Sequence, residues 1–440
     1  MKKCLVIGGG FAGLSASAHL SNAGYQVELI EASPKLGGRA YSFIHKPTNM
    51  LIDNGQHIMM GCYNETLKFL KLINALDKIE IQEKLNVKFL KPGFEIHELK
   101  SPSFFYPLNL LAAIFSYTAI SIQERISILR LFLKLPILSN RDLEKMSVEE
   151  LLISENQNEN IKKAFWKILC IGALNTNIVK ASAKVFVDVL KEIFLKGSSG
   201  SKIVLPKVDL SEMFCEPAKQ FIEEKGGRIC LSERVEEIKV EKKRAVEVVT
   251  NKRRITDFEF VLCAIPFSAV LKVLPYLTFD DFNPKYSSIL NVHVWLAESN
   301  KENRFGKNFY ALIGSKLHWV FSHDTHLTCV ISDADYLMSL SDKEIINMIY
   351  SELKKYMNII PDDIKDYFII KEKHATFIPS SEILNNRPDT ETEVKNLFLA
   401  GDWVNTGLPS TIESAVKSAR EAAELVDYSI TNSKKQGFRL

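Results

Sequence analysis

No two of the seven cysteines in this chain are spaced as C-x-x-C. They stand singly, at Cys4, Cys62, Cys170, Cys215, Cys230, Cys263 and Cys329, which excludes a zinc ribbon and a thioredoxin-like dithiol. An odd and scattered set points to reduced thiols in a cytoplasm rather than to a disulfide framework. An excess of one charge is lacking too. Lys and Arg number 56 against 53 Asp and Glu, a net charge of +3 over 440 residues, too small to imply a nucleic-acid partner. Long hydrophobic runs are missing. The longest uncharged stretch, Ser101 to Gln123, is interrupted by Pro102, Pro107 and Asn109, whereas a spanning helix needs about 20 predominantly apolar residues. There is no internal repeat and no low-complexity tract. His318, His323 and His326 lack metal-ligand context and read as surface or sheet residues, so no metal site is expected. What is left is a soluble globular composition, 46% hydrophobic and 25% charged, with chain enough for two domains or one large one.

What is present starts at the N-terminus. The apolar run Cys4-Leu5-Val6-Ile7 feeds Gly8-Gly9-Gly10-Phe11-Ala12-Gly13, and a helical stretch follows. Glycine at 8, 10 and 13 serves a tight turn, the close approach of a pyrophosphate, and helix–strand packing. The free N–H groups of the helix start face the phosphates. A second strand, Gln26 to Ile30, ends in Glu31-Ala32, with the acid placed to accept hydrogen bonds from a ribose. Lys2, Lys3 and Ala16-Ser17-Ala18 loosely mimic a secretory signal, but three consecutive glycines break the apolar core such a signal needs.

The chain returns to this site from its far end. Leu397-Phe398-Leu399-Ala400-Gly401-Asp402 reads as a strand ending in a turn, and Thr411-Ile412-Glu413 opens a helix whose positive dipole end is aimed at the same ligand. Gly37-Gly38-Arg39 lies just past the ribose acid: its glycines let backbone approach, and Arg39 brings charge to a pyrophosphate. Val261 to Ala264 marks a further return to the nucleotide sheet, closed by Pro266. The expected fold class is α/β, a nucleotide-binding sheet with an interleaved α+β substrate region. Segments 1–61, 211–286 and 390–428 form the nucleotide part. Segments 62–210, mostly helical, and 287–389, with the alternating runs Leu290 to Leu296 and Trp319 to Phe321, form the substrate part.

A glycine pair followed by arginine just after the ribose acid, with Gly401-Asp402 at the other end, resembles the glutathione-reductase-like FAD proteins of the amine oxidase and phytoene desaturase type. Within that group, Asp53-Asn54-Gly55-Gln56-His57 is similar to the corresponding turn of the hydroxysqualene dehydroxylases. So are Cys170 to Thr176, Ala181 to Phe186, Leu205 to Ser211, and Gly401-Asp402-Trp403 with Thr406 to Glu413, so the likeness spans nearly the whole chain. Ser414 and Ala419 depart from it, standing where the family is expected to have glycine. Cys62-Tyr63-Asn64 also occurs in plant-type carotene desaturases.

The resemblance implies bound FAD and the reductive removal of an allylic hydroxyl from hydroxysqualene. Carotenoid desaturation is the alternative, amine oxidation a remoter one, and a prenyl-binding protein without redox chemistry, like the Rab GDP-dissociation inhibitors, is opposed by the intact glycines. The implied cofactor residues are Gly8, Gly10, Phe11, Ala12, Gly13, Glu31, Ala32, Gly37, Gly38, Arg39, Asn54, Gly55, Gln56, Val235, Ala264, Gly401, Asp402, Thr411 and Ile412. Hydroxide leaves poorly unless protonated. His57 is the first candidate acid because imidazole titrates near neutrality, with Asp53 and Glu413 as further candidates; fixing the cofactor is the other role open to all three. A long isoprenoid needs an apolar channel, and Phe104 to Tyr117 with Phe132 are either its walls or ordinary core. Gln123, Ser127, Arg130 and Lys134 make one polar helical face, on a helix that is either half-buried or laid on a membrane surface. The expected location is the cytoplasm, with peripheral contact at the inner face of the cytoplasmic membrane as an option. No second glycine fingerprint occurs, which leaves NADPH or a redox partner as the electron donor.

Overall fold

Five parallel strands form the sheet on which the site is built. The computed structural model describes residues 2–279, 281–297 and 305–437, with side chains through residue 429. In spatial order the strands are Arg228–Cys230, β2 (Gln26–Ile30), β1 (Lys3–Ile7), Phe260–Cys263 and Leu397–Leu399. Ile7 lies opposite both Ile30 and Cys263, and Cys263 opposite Leu399, so the carboxyl ends finish level. Leu5, Val6, Leu29, Val261 and Leu397 are fully buried, as continuous apolar runs must be when both faces of a parallel sheet are covered. One face carries helix α1 (Phe11–Asn22), which packs on the C-terminal helix Ile412–Gly437 through Ala16, Ala18, Val416, Ala419 and Ala422. Small side chains let those two helices approach. The other face carries the hairpin Val235–Glu241/Arg244–Thr250 and the helix Phe267–Val273, which Pro266 starts.

A seven-stranded sheet roofs the carboxyl ends. Its order is Ile364–Phe377, Tyr286–Leu296, Leu327–Ser332, Trp319–Ser322, Phe309–Leu312, Asn86–Lys91 and Glu95–Lys100. The last two strands come from the stretch expected to be mostly helical. They form a hairpin closed at Pro92-Gly93-Phe94, with positive φ at Gly93 and Phe94, a local turn signal embedded in a stretch otherwise dominated by helical periodicity.

The helices between Leu108 and Phe194 bury the largest apolar cluster, around Tyr117, Phe132, Trp166 and Phe186. The aromatic stretch therefore does not wall a channel. Tyr117 donates from its hydroxyl to the Ala164 carbonyl at 2.8 Å and Phe132 stacks on Trp166, while Phe104, Phe105 and Phe115 are exposed. Helix Ile122–Lys134 starts at a Ser121/Glu124 capping box and buries Ile128, Leu131 and Phe132. Its expected polar face is only partly in water. Gln157 donates to Ser127, Lys134 pairs with Glu155, and apolar Ile122, Ile126 and Leu133 are exposed instead.

Candidate functional site

A cavity of about 1940 Å³ opens at the carboxyl ends of the parallel strands and continues beneath the roof sheet. Three glycines at its edge have three distinct requirements. Gly8 has φ +107°, and a Cβ there would lie 2.5 Å from the Ala264 carbonyl oxygen. A Cβ on Gly13 would fall 1.7 Å from the Gly8 carbonyl oxygen, so that glycine serves the packing of α1 on β1. A Cβ on Gly10 meets nothing closer than 3.7 Å. The protein itself leaves room for a Cβ at position 10; what needs the glycine there is the space it borders. Helix α1 starts beside that space with no capping side chain and no acidic residue in its first turn, which leaves its first amides for an anion. This cradle fits the diphosphate of a dinucleotide.

Glu31 accepts from the Gly9 amide at 2.6 Å and from the Ser33 amide at 2.7 Å, which fixes the turn and leaves further lone pairs on the carboxylate. Ala32, Gly37, Gly38, Gln56, Val235, Ala264, Thr411 and Ile412 also form the cavity wall. Arg39 also lines the cavity, and its guanidinium donates to Asp402 at 2.5 Å and to the Ala375 carbonyl at 2.8 Å, tying the N-terminal part of the chain to the segment at Asp402. Burial alone would raise the Asp402 carboxyl, but Arg39 and the Ser410 hydroxyl hold it below the usual carboxylate range.

The turn from Asp53 to His57 carries two of the candidate acids. Asp53 faces away from the cavity, accepting from the Ser42 hydroxyl at 2.7 Å and the Leu210 amide at 3.0 Å; burial lifts its carboxyl to about 6. Asn54 accepts from the Tyr41 amide and donates to the Arg39 carbonyl, which locks the turn. His57 is part of the wall. Enclosure, with the Arg39 charge adding to it, lowers its imidazole to about 4, so it rests neutral at pH 7. Glu413, the third candidate, has both oxygens engaged: it accepts from the Glu65 and Thr66 amides at 2.9 Å and from the Thr66 hydroxyl at 2.7 Å. It caps helix Asn64–Leu72 from a distant part of the chain.

Two roof residues that the sequence did not single out hold the same turn from above. Asn291 donates to the Asn54 carbonyl at 3.2 Å, and His293 Nε2 lies 3.0 Å from the Asp53 carbonyl. That contact makes Nε2 the protonated nitrogen, with Nδ1 accepting from the Thr328 hydroxyl at 3.1 Å. Asn291 lines the cavity, and among the described residues its Oδ1 has no partner. His323 and His326 are not isolated: they stack at 4.5 Å, and His326 sits 5.3 Å from His293. His318 leads into the interior strand Trp319–Ser322 and accepts from the Ser332 amide. Among the described residues no cluster of ligating side chains could hold a metal ion.

Beyond the turn the wall becomes apolar, formed by Phe89, Phe165, Leu169, Phe309, Trp319 and Phe321. Cys62 also lies on the wall, and burial pushes its thiol up to about 12. At the rim, helix Ala183–Phe194 presents the Lys184–Asp188 ion pair.

The profile of the flavin containing amine oxidoreductases matches residues 11–427. A hydroxysqualene dehydroxylase of Zymomonas mobilis subsp. mobilis is 27% identical, over 96% of this chain and 98% of its own. A zeta-carotene desaturase of Synechocystis sp. is 23% identical, over 96% of each chain. Among solved structures, an oxidoreductase from Methanosarcina mazei superposes with a TM-score of 0.73 at 16% identity, covering 96% of this chain and 100% of its own.

Proposed function

The chain belongs to the flavin containing amine oxidoreductases and is a flavin-dependent oxidoreductase, and we propose that its reaction is the reductive removal of the hydroxyl of hydroxysqualene to give squalene. The observation that carries this reading is one continuous cavity with a diphosphate cradle at one end and walls of aromatic and aliphatic side chains at the other. The similarity to a hydroxysqualene dehydroxylase along 96% of the chain supports it. In this reaction a hydride replaces hydroxide at carbon, and the hydroxide departs with a proton as water.

The reduced flavin, when bound, supplies the hydride. The turn around Gly8 to Gly13, with Glu31, Gly37 and Gly38, holds the nucleotide half, and the tied segments at Arg39 and Asp402 close around it. Phe165, Phe309, Trp319 and Phe321 exclude water and face the positive charge that develops as the hydroxyl leaves. His57 is the acid that remains, since the Asp53 and Glu413 carboxylates are engaged elsewhere. A neutral resting imidazole has to take up a proton before it can give one, so turnover rises toward acid pH.

The same walls suit a hydrocarbon, and the similarity to a zeta-carotene desaturase keeps desaturation as a second reading. We also propose contact with an anionic membrane. Phe105, Leu133 and Ile137 are 75%, 70% and 81% exposed, and helix Ile122–Lys134, which carries Leu133, also carries Arg130 and Lys134. The nearby Tyr106 hydroxyl donates to the carbonyl of Phe194, a cavity-wall residue, at 3.2 Å. No helix among the described residues is long and apolar enough to cross a membrane. The deciding experiment is anaerobic incubation of the chemically reduced protein with hydroxysqualene. Squalene is the expected product. Desaturation of phytoene or zeta-carotene by the oxidised protein, with no squalene formed, would replace the first reading by the second.

A further inference from the structure

The loop from Gly401 to Thr411 has no regular secondary structure, yet it forms one wall of the flavin cavity. A loop of that kind normally fluctuates, because its peptide groups lack ladder partners. This one is wrapped around a single buried guanidinium. Arg387 is 4% exposed. Its Nη2 donates to the Asp402 carbonyl at 2.6 Å and to the Val404 carbonyl. Nη1 donates to the Leu408 carbonyl, and Nε to the Trp403 carbonyl at 3.3 Å. The Ser414 hydroxyl, on the C-terminal helix, lies 3.2 Å from Nη2. The Phe377 ring covers the guanidinium at 5.3 Å.

Two consequences follow from this geometry. A peptide group is planar, with its C=O and N–H pointing in opposite directions. Drawing the Asp402 carbonyl toward Arg387 therefore turns the Trp403 N–H the other way. Among the described residues that amide donates to no protein group, while the neighbouring Val404 and Asn405 amides are paired with Gly401 and Pro388. The second consequence concerns charge. Arg387 forms no ion pair among the described residues. The Asp402 carboxylate, which acts on Arg387 through space, is hydrogen-bonded to Arg39 and Ser410 instead. Burying a cation against carbonyl dipoles alone is unfavourable, and the charge it retains acts on whatever lies across the loop.

We propose that Arg387 is a positioning residue for the flavin: it holds the 402–408 loop so that the Trp403 N–H faces the cofactor, and its unpaired charge favours electrons on the flavin. This rests on flavin binding and not on the identity of the substrate.

The test uses the flavin-loaded protein and two variants. FAD release on dilution is followed by fluorescence, and the flavin midpoint potential by reductive titration. Arg387→Lys keeps the charge but cannot reach all four carbonyls. It is expected to bind FAD at least tenfold more weakly with its potential unchanged. Arg387→Met loses both features, and its potential is expected to fall by about 30 mV, the equivalent of tenfold for a two-electron couple. Wild-type affinity in Arg387→Lys, or a wild-type potential in Arg387→Met, overturns the proposal. Should Arg387→Met not accumulate in folded form, Arg387→Lys decides alone: tenfold weaker binding at unchanged potential supports the assignment, and unchanged binding refutes it. Wild-type protein that holds no flavin at all would instead remove the reading on which the proposal rests.

Discussion

Glu413 Oε2 lies 2.7 Å from the Thr66 hydroxyl and 2.9 Å from the Thr66 amide. One carboxylate near the end of the chain thus supplies the cap that helix Asn64–Leu72 lacks from its own sequence. Glu413→Ala leaves buried donors without an acceptor and is expected to lower unfolding stability by about 1–3 kcal/mol. Urea titration of the flavin-loaded protein measures it. A variant as stable as wild type would show that water replaces the carboxylate.

Gly10 and Gly13 are expected to fail differently when given side chains. Gly10→Ala places its Cβ no nearer than 3.7 Å to any protein atom and should fold, yet hold flavin far more weakly, because the methyl group enters the diphosphate cradle. Gly13→Ala places its Cβ 1.7 Å from the Gly8 carbonyl oxygen and should disturb folding itself. Circular dichroism together with flavin absorbance separates the two outcomes. A Gly10→Ala protein that holds flavin as tightly as wild type would remove the cradle argument.

His57→Ala is expected to retain FAD and to slow single-turnover chemistry of the pre-reduced protein about 10²–10⁴-fold, the range for a missing general acid. In the wild type the rate should climb as pH drops from 8 toward the lowered imidazole value of about 4. A pH-independent rate together with an active alanine variant would make His57 a wall residue only.

Acid should unfold this protein early. Burial lowers His293, His318 and His323 to about 4 and His326 to about 2. Free histidine titrates at about 6.5, so below that pH the unfolded chain binds protons that the folded chain refuses. Stability is then full above about 6.5 and falls as pH drops toward 4, by up to about 1.4 kcal/mol per pH unit for each histidine. Urea midpoints across that range measure the slope. His326→Phe preserves a ring in the stack and should flatten it; an unchanged slope would mean His326 already titrates normally.

Vesicles carrying anionic lipid should bind the wild-type protein, less so at high salt. Replacing Phe105 and Leu133 by serine removes two of the exposed apolar side chains and should abolish sedimentation with vesicles while leaving flavin content unchanged. Undiminished binding would mean this surface faces water.

The nucleotide turn was legible because its requirements are mostly local: Gly8 has a positive φ of its own, Gly13 answers to the Gly8 carbonyl five residues earlier, and Gly10 answers to the ligand, while the Ala264 carbonyl against Gly8 is a distant contact. The tie between Arg39 and Asp402 was not legible, because the two residues stand 363 positions apart in the chain. Asn291 and His293 gave no sequence signal. Their role depends on the strand register that sets them over the Asn54 and Asp53 carbonyls. Aromatic content separated neither wall from core nor core from surface. Phe165 and Trp319 line the cavity, Tyr117 and Phe132 sit in the core, and Phe105 is in water, and only tertiary packing distinguishes the three.

Strand β1 has Phe260–Cys263 as one neighbour, and that strand in turn waits for Leu397–Leu399. On the ribosome the nucleotide turn emerges first, but one edge of β1 stays unpaired until more than half the chain has been made. The loop beyond Gly401 that walls the cavity is made later still. Flavin capture therefore belongs to the last stage of synthesis, and a nascent chain stalled before that loop carries an intact glycine fingerprint with no wall to hold the cofactor against it.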